Sequence, residues 1–294
     1  MDDPLYIGIR FALYADLMLL FGLPLFALYT PRGRDSAAAS KPVLLCLAFV
    51  GLGLSAFAIV AMTAAMAGVA LLDVDRGSIA SMVTDTPMGM AWSVRMGALA
   101  FMASLATTRR PAVFASLAAI ALGSLAWTGH GAAGEGKTGT FQLIGDLVHL
   151  LAAAAWLGAL VGLGAMLFRG SEPAATHRAL DRFASIGTII VVAVIGSGLV
   201  NGFYVVGWSK LGSLPSTLYG QLLLLKLALF GAMLVLAAIN RFRLTPALRA
   251  ALDNDRTYPA RRGLHSSLTL ELSLAAAILG LVAWLGTLEP PVSM

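Results

Sequence analysis

The chain of 294 residues is 59% hydrophobic and only 12% charged, and its mean hydropathy is +0.84. Soluble globular domains have roughly a quarter of their residues charged, so this composition excludes a soluble protein. The formal net charge of +5 does not indicate nucleic-acid binding, because the basic residues lie in short segments between apolar runs. The single cysteine, Cys46, excludes an intramolecular disulfide and a thiolate cluster.

The apolar residues occur in runs long enough to cross a lipid bilayer, which takes about 20 residues of helix. They predict an all-α polytopic bundle that forms one integral membrane domain over residues 1–294. The first residues, MDDPLYIG, lack the basic region of a cleavable signal peptide, so the first run is predicted to remain as a span. The eight predicted transmembrane helices are 5–29, 43–69, 88–107, 111–128, 141–168, 183–206, 218–239 and 267–288.

The distribution of lysine and arginine predicts the orientation of these spans. Most of the 20 basic residues fall in loops on one side of the predicted topology. Cytoplasmic loops carry an excess of lysine and arginine, so that side is predicted to be cytoplasmic and both termini periplasmic. The longest interruption, 241–266, is predicted to be a charged cytoplasmic loop, and His177 and His265 are predicted to be solvated in loops on the same side.

Polar residues inside the predicted spans gather in the outer half of the membrane or near its midplane. They are Arg10, Asp16, Arg95, Asp146, His149, Asn201 and Lys226. Such residues are costly in a bilayer and are functional by default, so they predict a polar cavity open to the outer face. The alternative is structural: Arg95 or Lys226 pairs with Asp146 or Asp16 and locks the bundle together.

Two histidines lie on this predicted outer side. His130 stands at the outer mouth of the fourth span, and His149 lies within the fifth. Asp146, His149 and Trp156 share one face of that span by their helical spacing. Asp146 is therefore predicted to orient the His149 ring by accepting its second N–H, as carboxylates next to metal sites do. Gly158 and Gly162, four residues apart on the same span, predict a close contact with another helix.

Methionines are also concentrated near the outer face, where Met62 and Met66 are one turn apart on the second span. Thioether sulfur suits Cu(I), and imidazole suits copper in either oxidation state, Cu(I) or Cu(II). The alternative is that these methionines are only packing, since methionine fills irregular gaps in apolar helices. The predicted metal ligands are His130, His149, Met62, Met66, Met88 and Met90.

Five segments resemble the copper resistance protein D (CopD) family of bacterial inner membranes. The most telling is DLVHLLAAAAWLGAL, which contains Asp146 and His149. The others are TPMGMAWSVRMGALA, RFASIGTIIVVAVIGSGLVNGFYVVG, YGQLLLLKLALFGAMLVLAAINRFRLTPAL and ELSLAAAILGLVAWLGTLEP. The resemblance implies a multi-pass inner-membrane protein of copper homeostasis and resistance. It also implies a periplasmic copper-binding protein as partner and copper movement across the membrane, inward rather than outward.

Two classes of function follow from these patterns. In the first, copper is captured at the outer face by His130 and nearby methionines and passes to His149 within the bundle. In the second, the chain is a membrane redox subunit that binds haem or quinone through its histidines. A membrane hydrolase is not expected, since no HExxH motif, paired catalytic aspartates or serine nucleophile with its base is evident. The chain is therefore predicted not to be an enzyme.

Overall fold

The computed structural model describes residues 4–30, 39–105, 110–128, 136–207, 212, 214–253 and 257–289, and its regular elements in these ranges are all helical. The α-helices are α1 (Pro4–Tyr29), α2 (Lys41–Ala67), α3 (Arg76–Asp85), α4 (Pro87–Ser104), α5 (Pro111–Gly123), α6 (Gly136–Phe168), α7 (Pro173–Val206), α8 (Leu218–Ile239), α9 (Thr245–Asp253) and α10 (Thr257–Leu285). The shorter elements include 3-10 helices at Leu71–Asp73 and Ser124–Thr128 and a π-helix at Asn240–Leu244. The all-helical prediction is therefore confirmed.

Each predicted span coincides with a helix, but the count of eight membrane crossings is not established. Within the described residues, six helices are long and apolar enough to span a membrane. These six are α1, α2, α6, α7, α8 and α10. The other two are less suited, because α4 is 18 residues long and carries Arg95, and α5 has only 13 residues before the 3-10 helix continues it.

The prediction that 241–266 is a loop was wrong. The π-helix and α9 follow α8 directly, and α10 begins at Thr257. Pro246 and Pro259 stand in the first turns of α9 and α10, where proline is tolerated because the first N–H groups of a helix have no intrahelical acceptor. The described arginines of this stretch therefore lie on helices rather than in a loop; they are Arg241, Arg243, Arg249, Arg261 and Arg262.

The two histidines predicted to lie in loops on this side are also helical. His177 is on α7 and His265 is on α10. The exposed His265 ring packs edge-on against Phe168, with ring centroids 4.2 Å apart. The loop prediction failed at both positions because α7 and α10 begin about ten residues before the apolar runs from which they were predicted.

Helices α1 and α6 form the centre of the bundle. The most apolar stretch of α1 is 56% buried, and that of α6 is 61% buried. The corresponding values are 17% for α7 and 11% for the segment that contains α8. Residues of α1 and α6 contribute to a core with α2, α4 and α5 and to a second core with α7 to α10. Exposed side chains on α7 such as Ile189 and Leu199 suit contact with lipid chains.

The contact between α1 and α6 is made by small residues, as the sequence predicted. A Cβ atom added at Gly22 would overlap the backbone at Ala154 and Gly158, and one added at Gly162 would overlap the Phe26 ring. Small residues of this kind allow the backbones of two membrane helices to approach closely. This contact fixes the position of α6, whose N-terminal half carries Asp146 and His149.

Candidate functional site

The imidazole ring of His149 on α6 is held by α7. Its Nδ1 lies 3.2 Å from the main-chain oxygen of Val194 and 3.1 Å from Oγ of Ser197. The Ser197 hydroxyl donates its own hydrogen to the Ala193 carbonyl at 2.5 Å. A carbonyl oxygen only accepts hydrogen bonds, so Nδ1 of the neutral ring carries the hydrogen and Nε2 carries the lone pair. The ring therefore offers Nε2 to a ligand.

The orienting partner of His149 differs from the predicted one. The sequence suggested the carboxylate of Asp146, whereas the structure places a backbone carbonyl and a serine hydroxyl at Nδ1. Histidines that bind metals nearly always donate their other ring N–H to a carboxylate, a carbonyl or water. The hydrogen bonding of His149 thus fits that of a metal ligand. Residues of α7, rather than Asp146, accept the hydrogen bond that orients the ring.

Asp146 instead interacts with α8. Its carboxylate is within electrostatic range of Lys226 and of Tyr219, and Lys226 also acts on His149. Lys226 and Asp146, one of the pairs named in the structural alternative, are therefore within electrostatic range of each other, but no hydrogen bond or salt bridge joins them in the described part of the chain.

Glycines on both helices make room for these polar side chains. A Cβ atom on Gly145 of α6 would lie 2.7 Å from Oδ1 of Asn201, and one on Gly198 of α7 would lie 3.4 Å from Cε1 of His149. Gly145 and Gly198 therefore lie next to polar side chains of the facing helix. We call the polar group at this place the α6–α7–α8 cluster. Its members are Asp146, His149, Ser197, Asn201 and Lys226.

A second group of predicted residues lines a cavity of about 40 Å³ between α1, α2, α4 and the 3-10 helix that follows α5. We call it the α1–α2–α4 cavity. It brings Met62 and Met88 together with Arg10 and Arg95. The remaining lining residues are Tyr6, Leu13, Tyr14, Ala58, Ile59, Trp92 and Leu125.

Arg95 and Asp16 are both buried, at 3% and 5% exposure, but they do not pair. Nη1 of Arg95 donates to Oγ of Ser124 at 3.3 Å. Both carboxylate oxygens of Asp16 lack a hydrogen-bond partner among the described residues, and a Cβ atom added at Gly51 would lie 2.6 Å from Oδ2. The predicted locking pair of Arg95 and Asp16 is therefore absent from the part of the chain that the structure describes.

The six predicted copper ligands fall in different places. His149 belongs to the α6–α7–α8 cluster, Met62 and Met88 line the α1–α2–α4 cavity, and Met66 and Met90 are exposed, at 60% and 71%. His130 lies outside the described residues. Within the described ranges, no three or more His, Cys, Asp and Glu side chains are grouped so that they could hold a metal ion. The ligand set therefore stays a prediction.

Sequence reasoning missed two aromatic residues of the cavity. Tyr6 and Tyr14 stand four residues before and after Arg10, whose Cζ lies 5.7 Å and 5.8 Å from the two ring centroids. This spacing on a helix places both rings beside the guanidinium and was a usable signal. Trp156, which was predicted on the same helix face as His149, is buried and packs edge-on against Phe230 of α8 with ring centroids 5.9 Å apart.

Comparison with known proteins places the chain in a family. Residues 1–140 match the family described as copper resistance protein D-like, N-terminal domain, and residues 177–285 match copper resistance protein D. The chain is 42% identical to copper resistance protein D of Pseudomonas syringae pv. tomato, over 99% of this chain and 98% of that protein. The chain belongs to the copper resistance protein D family. With six membrane-suited helices in its described ranges, this family member is a multi-pass inner-membrane protein.

Two further relatives support this assignment. The copper resistance protein D family member described here is 30% identical to the inner membrane protein YebZ of Escherichia coli, over 97% of this chain and 98% of that protein. It is also 33% identical to the copper transport protein CutJ of Bacillus subtilis, over 56% of this chain but only 28% of that protein. No solved structure matches the chain. His149 lies between the two matched family regions, so the full-length relatives, rather than the family models, cover it.

Proposed function

We propose that this protein binds copper on its periplasmic side and moves it inward across the inner membrane, with His149 as a ligand inside the bundle. The observation that carries the proposal is the hydrogen bonding of His149, whose Nδ1–H is donated to Val194 and Ser197. That bonding leaves Nε2 to coordinate a metal. Membership of a copper resistance family and the name of CutJ as a copper transport protein make copper the cargo.

The exposed methionines suit the first step of this path. A periplasmic copper-binding protein would deliver the ion to Met66 and Met90, which are open to a docked partner, and to His130. Met62 and Met88 line the cavity further in. Because Arg10 and Arg95 line the same cavity, a divalent cation is repelled there more strongly than a monovalent one. Thioethers also prefer Cu(I), so we propose Cu(I) as the transported ion.

The other function considered at the sequence level gains no support. The family matches and the relatives point to copper resistance and transport rather than to a haem- or quinone-binding subunit. The same family names point away from catalysis. We therefore propose a transporter with no catalytic residues.

Copper binding by the purified full-length protein tests the proposal. Cu(I) affinity is measured by competition with a chromophoric Cu(I) chelator, for the parent, for His149→Ala and for His265→Ala as the matched control, since His265 is exposed on α10. We expect His149→Ala to weaken binding at least tenfold and His265→Ala to leave it unchanged. If the His149→Ala protein unfolds at the parental temperature and still binds Cu(I) with the parental affinity, the proposal that His149 is a copper ligand is overturned.

Transport itself needs a separate measurement. The protein is reconstituted in liposomes that contain a fluorescent Cu(I) indicator, and protease accessibility of the 241–266 segment reports its orientation. We expect indicator signal in vesicles whose 241–266 segment is enclosed, since copper then enters from the periplasmic face. Signal only in vesicles of the opposite orientation would show outward movement and would overturn the proposed direction.

A further inference from the structure

The charged groups that line the α1–α2–α4 cavity in the described part of the chain are two guanidiniums, which only donate hydrogen bonds. The guanidiniums of Arg10 and Arg95 and the phenols of Tyr6 and Tyr14 provide N–H and O–H groups. The indole N–H of Trp92, also in the lining, is already donated to the Ser55 carbonyl at 2.8 Å. Among the described residues, no acidic side chain lines the cavity. Its polar groups therefore suit an electronegative guest.

The two arginines bring positive charge that the lining does not offset. Arginine stays protonated in proteins, and Arg95 is only 3% exposed. Besides its bond to Ser124, Arg95 leaves Nε without a partner in the described residues, and so does Arg10. Leaving a buried charge unpaired is strongly unfavourable. The rings of Tyr6 and Tyr14 beside Arg10 offset part of that cost through cation–π attraction, but they carry no net negative charge.

We propose that this cavity binds a small inorganic monoanion, of halide size, between Arg10 and Arg95. One water molecule needs roughly 10–15 Å³ measured in the same way, so the 40 Å³ available admits a halide or an anion of a few atoms. The bound anion supplies the counter-charge that the lining lacks.

The anion site is independent of copper binding at His149. Met62 and Met88 line the same cavity but are neutral, so they contribute nothing to anion affinity. The anion lowers the positive potential beside these two sulfurs, which eases the approach of Cu(I) to them. Either proposal can fail while the other stands, because the anion is measured in metal-free protein.

Halide titration of the purified full-length protein tests the proposal. The protein is freed of metal with a chelator, held in gluconate buffer of constant ionic strength and titrated with bromide. We expect a saturable rise in the midpoint of thermal unfolding and broadening of the chloride-35 magnetic resonance line that excess bromide reverses. Both effects should disappear in Arg95→Gln. In Arg10→Gln, the affinity for bromide should fall at least tenfold.

One variant serves as the control. Arg76→Gln removes an exposed arginine of α3 that does not line the cavity. It should keep the parental response. An unfolding midpoint equal in gluconate and bromide, with no line broadening in the parent, would overturn the proposal. So would an equal loss in Arg76→Gln. The parental resonance measurement decides the matter even if Arg95→Gln fails to fold.

Discussion

Gly22 on α1 and Gly158 on α6 bring the main chains of the two central helices into direct contact. A Cβ atom at either position would overlap backbone atoms of the other helix, and backbone cannot move aside as a flexible side chain can. We predict that Gly158→Ala destabilises the folded protein by about 1–3 kcal/mol or more, as overpacking does. The midpoint of thermal unfolding in detergent measures the effect.

Gly53 provides a matched control for that substitution. It also lies within a membrane-suited helix, α2, but a Cβ atom there meets nothing within 4 Å. Gly53→Ala should leave the midpoint unchanged or raise it slightly, because alanine has the higher helix propensity. If both variants lost stability equally, the loss would come from the helix backbone and not from the α1–α6 contact.

The hydroxyl of Ser197 shares the Nδ1–H of His149 with the Val194 carbonyl. We predict that Ser197→Ala weakens Cu(I) binding by about tenfold, the lower end of the range for partners of metal-binding histidines, since the carbonyl remains. Chelator competition measures the affinity. Ser273→Ala is the control, because the Ser273 hydroxyl only donates to Thr269 within α10. Equal Cu(I) affinities for the two variants would show that the Ser197 hydroxyl does not contribute to copper binding.

The space beside the His149 ring can be tested with a pair of glycines one turn apart on α7. A Cβ atom on Gly198 already reaches contact distance from the ring, at 3.4 Å from Cε1, whereas one on Gly202 meets nothing within 4 Å. We predict that Gly198→Leu displaces the ring and abolishes copper binding at this site, while Gly202→Leu leaves it intact. Copper stoichiometry of the purified variants measures this. Full copper occupancy in Gly198→Leu would show that copper binding does not depend on the position of the His149 ring.

At the other end of the bundle, Asn240 of the π-helix donates to Oε1 of Glu271 on α10, and both side chains are buried. We predict that Glu271→Leu destabilises the protein by about 1–3 kcal/mol, because Asn240 is left buried and unpaired. Glu271→Gln retains an acceptor and should cost less. Adding Asn240→Leu to Glu271→Leu should recover part of the loss. Additive losses in this double-mutant cycle would mean that the two residues do not interact.

The helices and the α1–α6 contact could be predicted because their signals are local. The length of an apolar run sets a membrane helix, and small residues at a spacing of four mark a close approach. The segment 241–266 could not be predicted, since charge excludes the membrane but does not exclude a helix. The two prolines there, Pro246 and Pro259, do not interrupt a helix because they stand in first turns.

The candidate site was predicted only in part because spacing along one helix does not reveal what the next helix presents. Met62 and Met66 were expected on one face, but only Met62 lines the cavity. Met66 is exposed in the last turn of α2, which ends at Ala67. Arg95 was expected to pair with a carboxylate and instead meets Ser124. These partners depend on helix packing, which no single run of sequence encodes.

The acceptor that orients the His149 ring belongs to the main chain at Val194. Most side chains at position 194 would supply the same oxygen, so alanine scanning would score this residue as silent however strongly the contact matters. Comparing sequences would overlook it for the same reason. Replacing the amide that joins residues 194 and 195 with an ester, which makes the carbonyl a poorer acceptor, is the kind of chemical change that exposes it.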